Sequence, residues 1–317
     1  MYLLWQAFPK LKRLDLSFSR KLIRIPDLYR LSPDIEEIEL MNCKRLTEVY
    51  SSGFLNKLNC LRLDECYELR SLTIPSYILS RSSGSITLYR CHKLETFSIP
   101  NRTDVVQLSG CSHHHRFLNE FCWLDLSYCE SLTSLSFEFD PSKPKYLKKL
   151  LLDGCYNLET FPEIEDTMEN LAVLNLHGTA IRALPSSLCC LVALQELNLH
   201  SCASLETIPS SIGNLSKLYY LDLTYCESLE TFPSSIFILK LTELDLSGSS
   251  KLRTFPEILE PAQTFAHVDL TKTAIKELPS SFGNLVQLQT LRLNMCTDLE
   301  SLPNSILNLN LLSSIAP

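Results

Sequence analysis

The sequence predicts an α/β repeat solenoid, and three observations predict it. The first is a recurring motif. Residues 218–233 read LYYLDLTYCESLETFP, residues 194–209 read LQELNLHSCASLETIP, and residues 288–303 read LQTLRLNMCTDLESLP. All fit L-x-x-L-x-L-x-x-C-x-x-L-x-x-[FIL]-P. The second is a fixed period. Measured between the second template leucines, the intervals from Leu150 to Leu291 are 24, 23, 24, 23, 24 and 23 residues. The third is the placing of the cysteines, nine of which (of 13) share one template position. Self-similarity at a period of roughly 20–50 residues marks a chain that stacks one supersecondary unit on the next.

The chemistry of one copy assigns each element. Leu221 and Leu223 alternate with Tyr220, Asp222 and Thr224, which is strand periodicity with one apolar face. Leu218, Leu229 and Phe232 must turn to the same interior. Pro233 cannot donate to a ladder and so ends the folded-back segment. One unit cannot bury its leucines, but stacked units can. The expected result is a horseshoe of about 13 repeats of 23–24 residues. Its parallel β-sheet lines the concave face, and short helical, 3-10 or extended segments form the convex face. This spacing is the leucine-rich-repeat signature, with cysteine where many members of that class carry asparagine.

In chain order, residues 1–10 are a lead-in and residues 11–303 are the solenoid. The repeats are centred on Leu14, Ile38, Leu61, Ile86, Val106, Leu124, Leu150, Leu174, Leu197, Leu221, Leu244, Val268 and Leu291. Between Ile86 and Leu150 the intervals are 20, 18 and 26, so residues 86–146 are expected to be irregular and 147–303 regular. Pro141 and Pro144 make residues 136–146, SFEFDPSKPKY, a loop. After each strand the connector is either P-S-S-[IFL], at Pro185, Pro209, Pro233 and Pro279, or P-E-I, at Pro162 and Pro256. Serine before an apolar pair suits the start of a helical or 3-10 turn. Residues 304–317 read as a truncated, apolar tail. Neither end looks like a polar cap, so the chain is expected to be a piece of a longer protein.

Composition excludes several classes. Hydrophobic content is 45%, ordinary for a folded chain, and no apolar run is long enough to span a bilayer. The first residues lack a basic segment followed by an apolar core, so no signal peptide is expected. The formal charge of −7 divides unevenly: residues 1–150 carry +4 and residues 151–317 carry −11. That is either drift on a solvated surface or two ends that meet different partners. Neither value suits a nucleic-acid binder.

The repeated position forms a ladder: Ser19, Cys43, Cys66, Cys91, Cys111, Cys129, Cys155, Thr179, Cys202, Cys226, Ser249, Thr273 and Cys296. Every occupant is small and able to hydrogen-bond backbone in the turn after the strand, so a buried ladder of weak donors is expected, not disulfides. The histidines His113, His114 and His115 lack zinc-ligand spacing, and no metal site, cofactor or catalytic set is assigned. Two sequons, at Asn101 and Asn214, matter only in a secreted protein.

Four stretches carry a family resemblance: LKRLDLSFSRKLIRIPD at 11–27, LNLHGTAIRALPSSL at 174–188, LETIPSSIGNLSKL at 205–218 and VDLTKTAIKELPSSFGNL at 268–285. Together with Trp5 ahead of the first repeat, they resemble the repeat region of plant TIR-type nucleotide-binding leucine-rich-repeat disease-resistance proteins. The resemblance covers nearly the whole chain and is weakest over 86–146. It implies a recognition and autoregulation module in the cytoplasm, or moving between nucleus and cytoplasm. Its partners are then a pathogen effector, the receptor's own nucleotide-binding domain, or both. The P-loop and TIR sequences of that family do not occur in these residues, so nucleotide chemistry is not assigned. A free-standing repeat scaffold that docks signalling proteins is the alternative.

The natural partner surface is the exposed face of the sheet. One stripe contains Trp123, Tyr128, Tyr220 and Tyr225, with His177 and His200 between them. A second contains Asp222, Asp245 and Asp269 and ends at Arg292. Large aromatics on an exposed sheet face point to a protein interface, or else pack on one another along the strands. Asp at its position reads first as scaffold.

Overall fold

The structure is a computed structural model that describes residues 8–75, 78, 84–98, 122–133, 147–164 and 167–316. Trp5, Val106, Cys111, the three histidines, Asn101 and residues 136–146 lie outside them. The chain forms two compact units, Met1–Leu151 and Leu152–Pro317. Both are parallel-sheet solenoids.

In the first unit, β1 (Arg13–Asp15), β2 (Glu37–Glu39), β4 (Cys60–Arg62), β6 (Ser85–Thr87), β8 (Cys122–Asp125) and β9 (Leu147–Leu151) are adjacent in that order. The template leucines set the register, with Leu14 beside Ile38, Ile38 beside Leu61 and Leu61 beside Ile86. A second parallel sheet follows the turns: β3 (Glu48–Tyr50), β5 (Ser71–Thr73) and β7 (Thr96–Ser98). One helical turn, α1 (Leu28–Leu31), is capped by Asp27, whose carboxylate accepts from the Tyr29 N–H at 3.0 Å.

In the second unit, β10 (Val173–Asn175), β11 (Glu196–Asn198), β12 (Tyr220–Asp222), β13 (Glu243–Asp245), β14 (His267–Asp269), β15 (Thr290–Arg292) and β16 (Ser314–Ala316) run in sequence order. The return segments are 3-10 helices at Ser186–Cys190, Ser210–Asn214, Ser234–Ile238, Ser280–Asn284 and Asn304–Asn308. The P-E-I connectors stay extended and are latched by the next turn. Ser187 Oγ accepts from the Ile164 N–H at 2.8 Å and donates to Glu163. Ser281 repeats this with Ile258, also at 2.8 Å, and Glu257. Phe232, Phe255 and Phe282 form a spine of rings 5.3 Å apart between successive turns, flanked by Phe237 and Phe265.

Ile86 pairs directly with Leu124, and the Leu88 N–H reaches Asp125 O at 2.7 Å, so these two described turns are neighbours in the sheet. The repeat expected at Val106 lies outside the described residues. One expectation needs correction: at the C-terminal end, residues expected to be a tail complete a further turn, with Leu291 beside Ile315. The 3-10 helices begin at Ser186, Ser210, Ser234 and Ser280, where the serines were expected to start a turn. Pro185, Pro209, Pro233 and Pro279 are the N-caps, with no side-chain capping bond.

Candidate partner-binding face

The site is built on a turn that every repeat shares. The residue just before each described ladder position has positive φ: Phe18, Asn42, Glu65, Arg90, Tyr128, Gly154, Gly178, Ser201, Tyr225, Gly248, Lys272 and Met295. That conformation disfavours a side chain by about 1–2 kcal/mol per residue. The turn is held because its N–H donates across to the next repeat, as Tyr225 N does to Ser247 O at 2.7 Å and Glu65 N to Tyr89 O at 2.7 Å. Sequence reasoning missed this turn. Its signal was Gly or Asn at the same offset in Asn42, Gly154, Gly178 and Gly248.

The ladder groups then bind backward. The thiols of Cys43, Cys66, Cys91, Cys129, Cys202, Cys226 and Cys296 donate to the carbonyls of Leu16, Leu40, Leu63, Leu88, Leu176, Leu199 and Leu270 at 3.0–3.3 Å. Ser249 Oγ reaches Leu223 O at 3.5 Å, while Thr179 and Thr273 donate within their own turns to Leu176 O and Leu270 O at 2.8 Å. Cys129 bonds Leu88 of the neighbouring described turn, and Cys111 lies outside the described residues. Cys155 is buried; Ser19 takes the same place in the first turn, its N–H on Leu16 O at 3.2 Å. Among the described residues the cysteines are free thiols. Burial pushes Cys66 up to about 12 and Cys202 to about 11, so the ladder is structural and not nucleophilic.

The expected aromatic stripe resolves into three rows, because strand alternation and the turn point these residues differently. Trp123 and Tyr220 precede the second leucine, His177 and His200 follow the third, and Tyr128 and Tyr225 occupy the left-handed position. In the second unit His177, His200 and Tyr225 form an edge-to-face run with centroids 4.8 and 5.6 Å apart. His177 Nδ1 lies 3.0 Å from Asp153, and His200 hydrogen-bonds Thr224. Tyr220 donates to Asp222 at 3.1 Å, and the neighbouring Tyr219 donates to Glu196 at 2.7 Å. Tyr220 and Tyr225 nevertheless keep 45% and 46% of their surface exposed, so packing uses about half of each. In the first unit Tyr128 meets Tyr89 edge-on at 5.7 Å, and Trp123 is half-buried.

Each aspartate accepts a backbone hydrogen bond in its own turn. Asp222, Asp245 and Asp269 accept the N–H two residues on, from Thr224, Ser247 and Thr271, at 2.9–3.0 Å. Asn175 and Asn198 do the same for His177 and His200. This local side-chain turn prepares the left-handed residue that follows. Arg292 pairs with Asp269 at 3.3 Å. Beside Asp222 and Asp245 lies a shallow acidic depression of about 200 Å³ lined by Tyr219, Tyr220, Asp222, Thr224, Glu243 and Asp245.

The Leucine Rich Repeat family model matches residues 193–215. The repeats are leucine-rich repeats. Over most of its length the chain is similar to plant disease-resistance proteins. It is 35% identical to the protein SUPPRESSOR OF npr1-1, CONSTITUTIVE 1 of Arabidopsis thaliana, over 95% of this chain and 20% of that protein. It is 30% identical to disease resistance protein RPS6 of Arabidopsis thaliana (91% and 21%) and 26% identical to TMV resistance protein N of Nicotiana glutinosa (93% and 24%). The chain therefore spans about a fifth to a quarter of the length of these three relatives. Among solved structures, the leucine-rich-repeat domain of the type III effector XCV3220 (XopL) is 20% identical over 98% of this chain and 77% of that one, with a TM-score of 0.35. Among the described residues of this chain no helix is long and apolar enough to cross a membrane.

Proposed function

We propose that this leucine-rich-repeat chain is the protein-recognition and autoregulatory part of a plant intracellular immune receptor, working in the cytoplasm or between nucleus and cytoplasm, without catalytic chemistry of its own. The relatives' names supply the immune context. The half-exposed Tyr220 and Tyr225 carry the recognition reading, because large aromatics that stay wet on a regular sheet are the residue type that anchors protein interfaces. The face comprises His177, His200, Tyr220, Asp222, Tyr225, Asp245, Asp269 and Arg292 in the second unit, with Trp123 and Tyr128 as the corresponding residues in the first. Its partner is a pathogen effector or the nucleotide-binding domain of the parent receptor.

The test uses the purified chain against immobilised candidate effectors and the nucleotide-binding domain encoded in the same gene. The reading expects one of them to bind, and the change Tyr220→Ala with Tyr225→Ala to weaken that binding at least about tenfold, as for two interface anchors. A binder indifferent to both changes would sink the assignment of this face.

A further inference from the structure

The first unit holds a cavity of about 560 Å³ beside its left-handed turns, lined by Phe18, Met41, Asn42, Asp64, Glu65, Thr87, Tyr89 and Asp125. That volume falls within the ordinary range of ligand pockets. We infer that this cavity takes the guanidinium of an arginine side chain presented by a protein partner. The inference deepens the recognition reading and relies on it only for the source of the arginine.

Three observations carry it. First, the lining holds three carboxylates and no Lys or Arg. Elsewhere in this unit carboxylates on neighbouring turns are paired with cations: Glu39 with Arg13 at 3.0 Å, Asp34 with Lys57 at 2.9 Å, Glu68 with Lys93 at 2.7 Å and Glu95 with Arg70 at 3.3 Å. Among the described residues Asp64, Glu65 and Asp125 form no ion pair. Second, the hydrogen bonds they do have come from neutral groups. Asp64 accepts from the Tyr89 N–H at 3.0 Å and from Thr87 Oγ1 at 2.9 Å, and Glu65 accepts from Asn42 Nδ2 at 2.8 Å. The other end of that amide, Asn42 Oδ1, is shielded from solvent and has no donor. Burial pushes the Asp64 carboxyl up and the charge of Asp125 adds to it, against the pull of Thr87, Tyr89 and Arg62. An incoming cation relieves both penalties. Third, the walls are rings and a thioether. Phe18 is 62% exposed, and Tyr89 already carries the Arg90 guanidinium 5.0 Å from its centroid, which shows that this wall accepts such a group. A planar fork of five N–H donors that stacks on rings and bonds carboxylates matches this lining better than a compact ammonium does. Among the described residues no group of His, Cys, Asp and Glu is arranged to hold a metal ion.

The experiment titrates the isotopically labelled chain with N-acetyl-L-arginine amide, its neutral isostere N-acetyl-L-citrulline amide, and N-acetyl-L-lysine amide, reading the amide resonances of Glu65 and Tyr89. Saturable shifts are expected with the arginine probe in the millimolar range, weaker ones with lysine, and none with citrulline. Asp64→Asn should weaken arginine binding about tenfold, as for loss of a charge-assisted pair. Should Asp64→Asn fail to fold by thermal melting, Phe18→Ala, on an exposed ring, should still weaken it about threefold. Absence of shifts, equal response to citrulline, lysine binding as tightly as arginine, or indifference to both substitutions overturns the proposal. Binding at the Tyr220 and Tyr225 face is measured separately, so either reading fails without the other.

Discussion

The two units use one strand template and close its turns differently. In the first, the return segment becomes a second sheet, with Val49 beside Leu72 and Leu72 beside Phe97. In the second it becomes a 3-10 helix at the P-S-S connectors and stays extended at the P-E-I connectors, and among the described residues only isolated bridges remain, Ala183 to Thr207 and Glu277 to Ser301. The position of proline separates them. In the second unit LETFP places Pro233 directly after the buried Phe232. In the first, RSLTIP and ETFSIP delay Pro75 and Pro100 by two residues, leaving Thr73 and Ser98 where proline would stand. Proline lacks the N–H a ladder needs, so its early arrival ends the strand and starts the 3-10 turn. A two-residue shift in one residue type chooses the architecture of the return side.

The largest expected effect falls on the second unit's own compensation for lacking that sheet. Phe255→Ala removes the ring that touches Phe232, Phe237 and Phe282, and should cost about 3–5 kcal/mol by chemical denaturation. A loss under about 1 kcal/mol would show that the spine is not what holds the turns. Next, Thr73→Pro imports the second unit's rule into the central strand of the three-stranded sheet. It should cost about 3 kcal/mol and remove hydrogen-exchange protection from Glu48–Tyr50 and Thr96–Ser98, whereas Pro233→Thr should cost about 1 kcal/mol or less. Equal costs would refute the proline argument. Common to both units is the ladder. Cys226→Ala removes one of two donors to the Leu199 carbonyl, which keeps the Cys202 N–H at 3.1 Å, and should cost about 1 kcal/mol, while Cys226→Ser, the occupant at Ser249, should cost less.

Two aspartates of the first unit give opposite pH signatures. Burial pushes Asp27 up, but the hydrogen bonds from Ser52, Tyr29 and Arg30 outweigh it, and its carboxyl lies below the ordinary value. Its contribution is present above the unfolded value of 3.8 and is lost as pH falls through the lowered one. Asp64 is raised by burial, so its penalty is absent below 3.8 and grows as pH rises through its folded value. Asp27→Asn should therefore remove acid sensitivity at the low end, and Asp64→Asn should remove a loss of stability on the way to neutrality. Urea midpoints measured across acid pH read both, and the same sign for the two would contradict the assignment. The smallest effect belongs to the exposed pair Lys93 and Glu68, where Lys93→Ala should change stability by about 0.5 kcal/mol or less.

Much of this was legible because burial and period are written in residue type. Leu221, Leu223 and Cys226 name their places by spacing alone. Ile315 was equally legible, 24 residues after Leu291, but the period was not carried past the last full motif. The left-handed turn was obscured because Phe18, Tyr128, Tyr225 and Met295 hold it despite their side chains. That placement, not strand alternation, aims Tyr225 outward, and Gly248 yields to it: a Cβ there would lie 2.6 Å from the ring. The cavity of the first unit arises from residues on five successive turns, a grouping no single motif contains.

The measurement that bears most directly on the account is the thermal unfolding of the chain with Tyr220→Ala and Tyr225→Ala together. If these rings serve a partner, the midpoint should fall by less than about 3 °C while partner binding is lost. A fall of about 10 °C or more would make them part of the packing and leave the sheet face without its anchors.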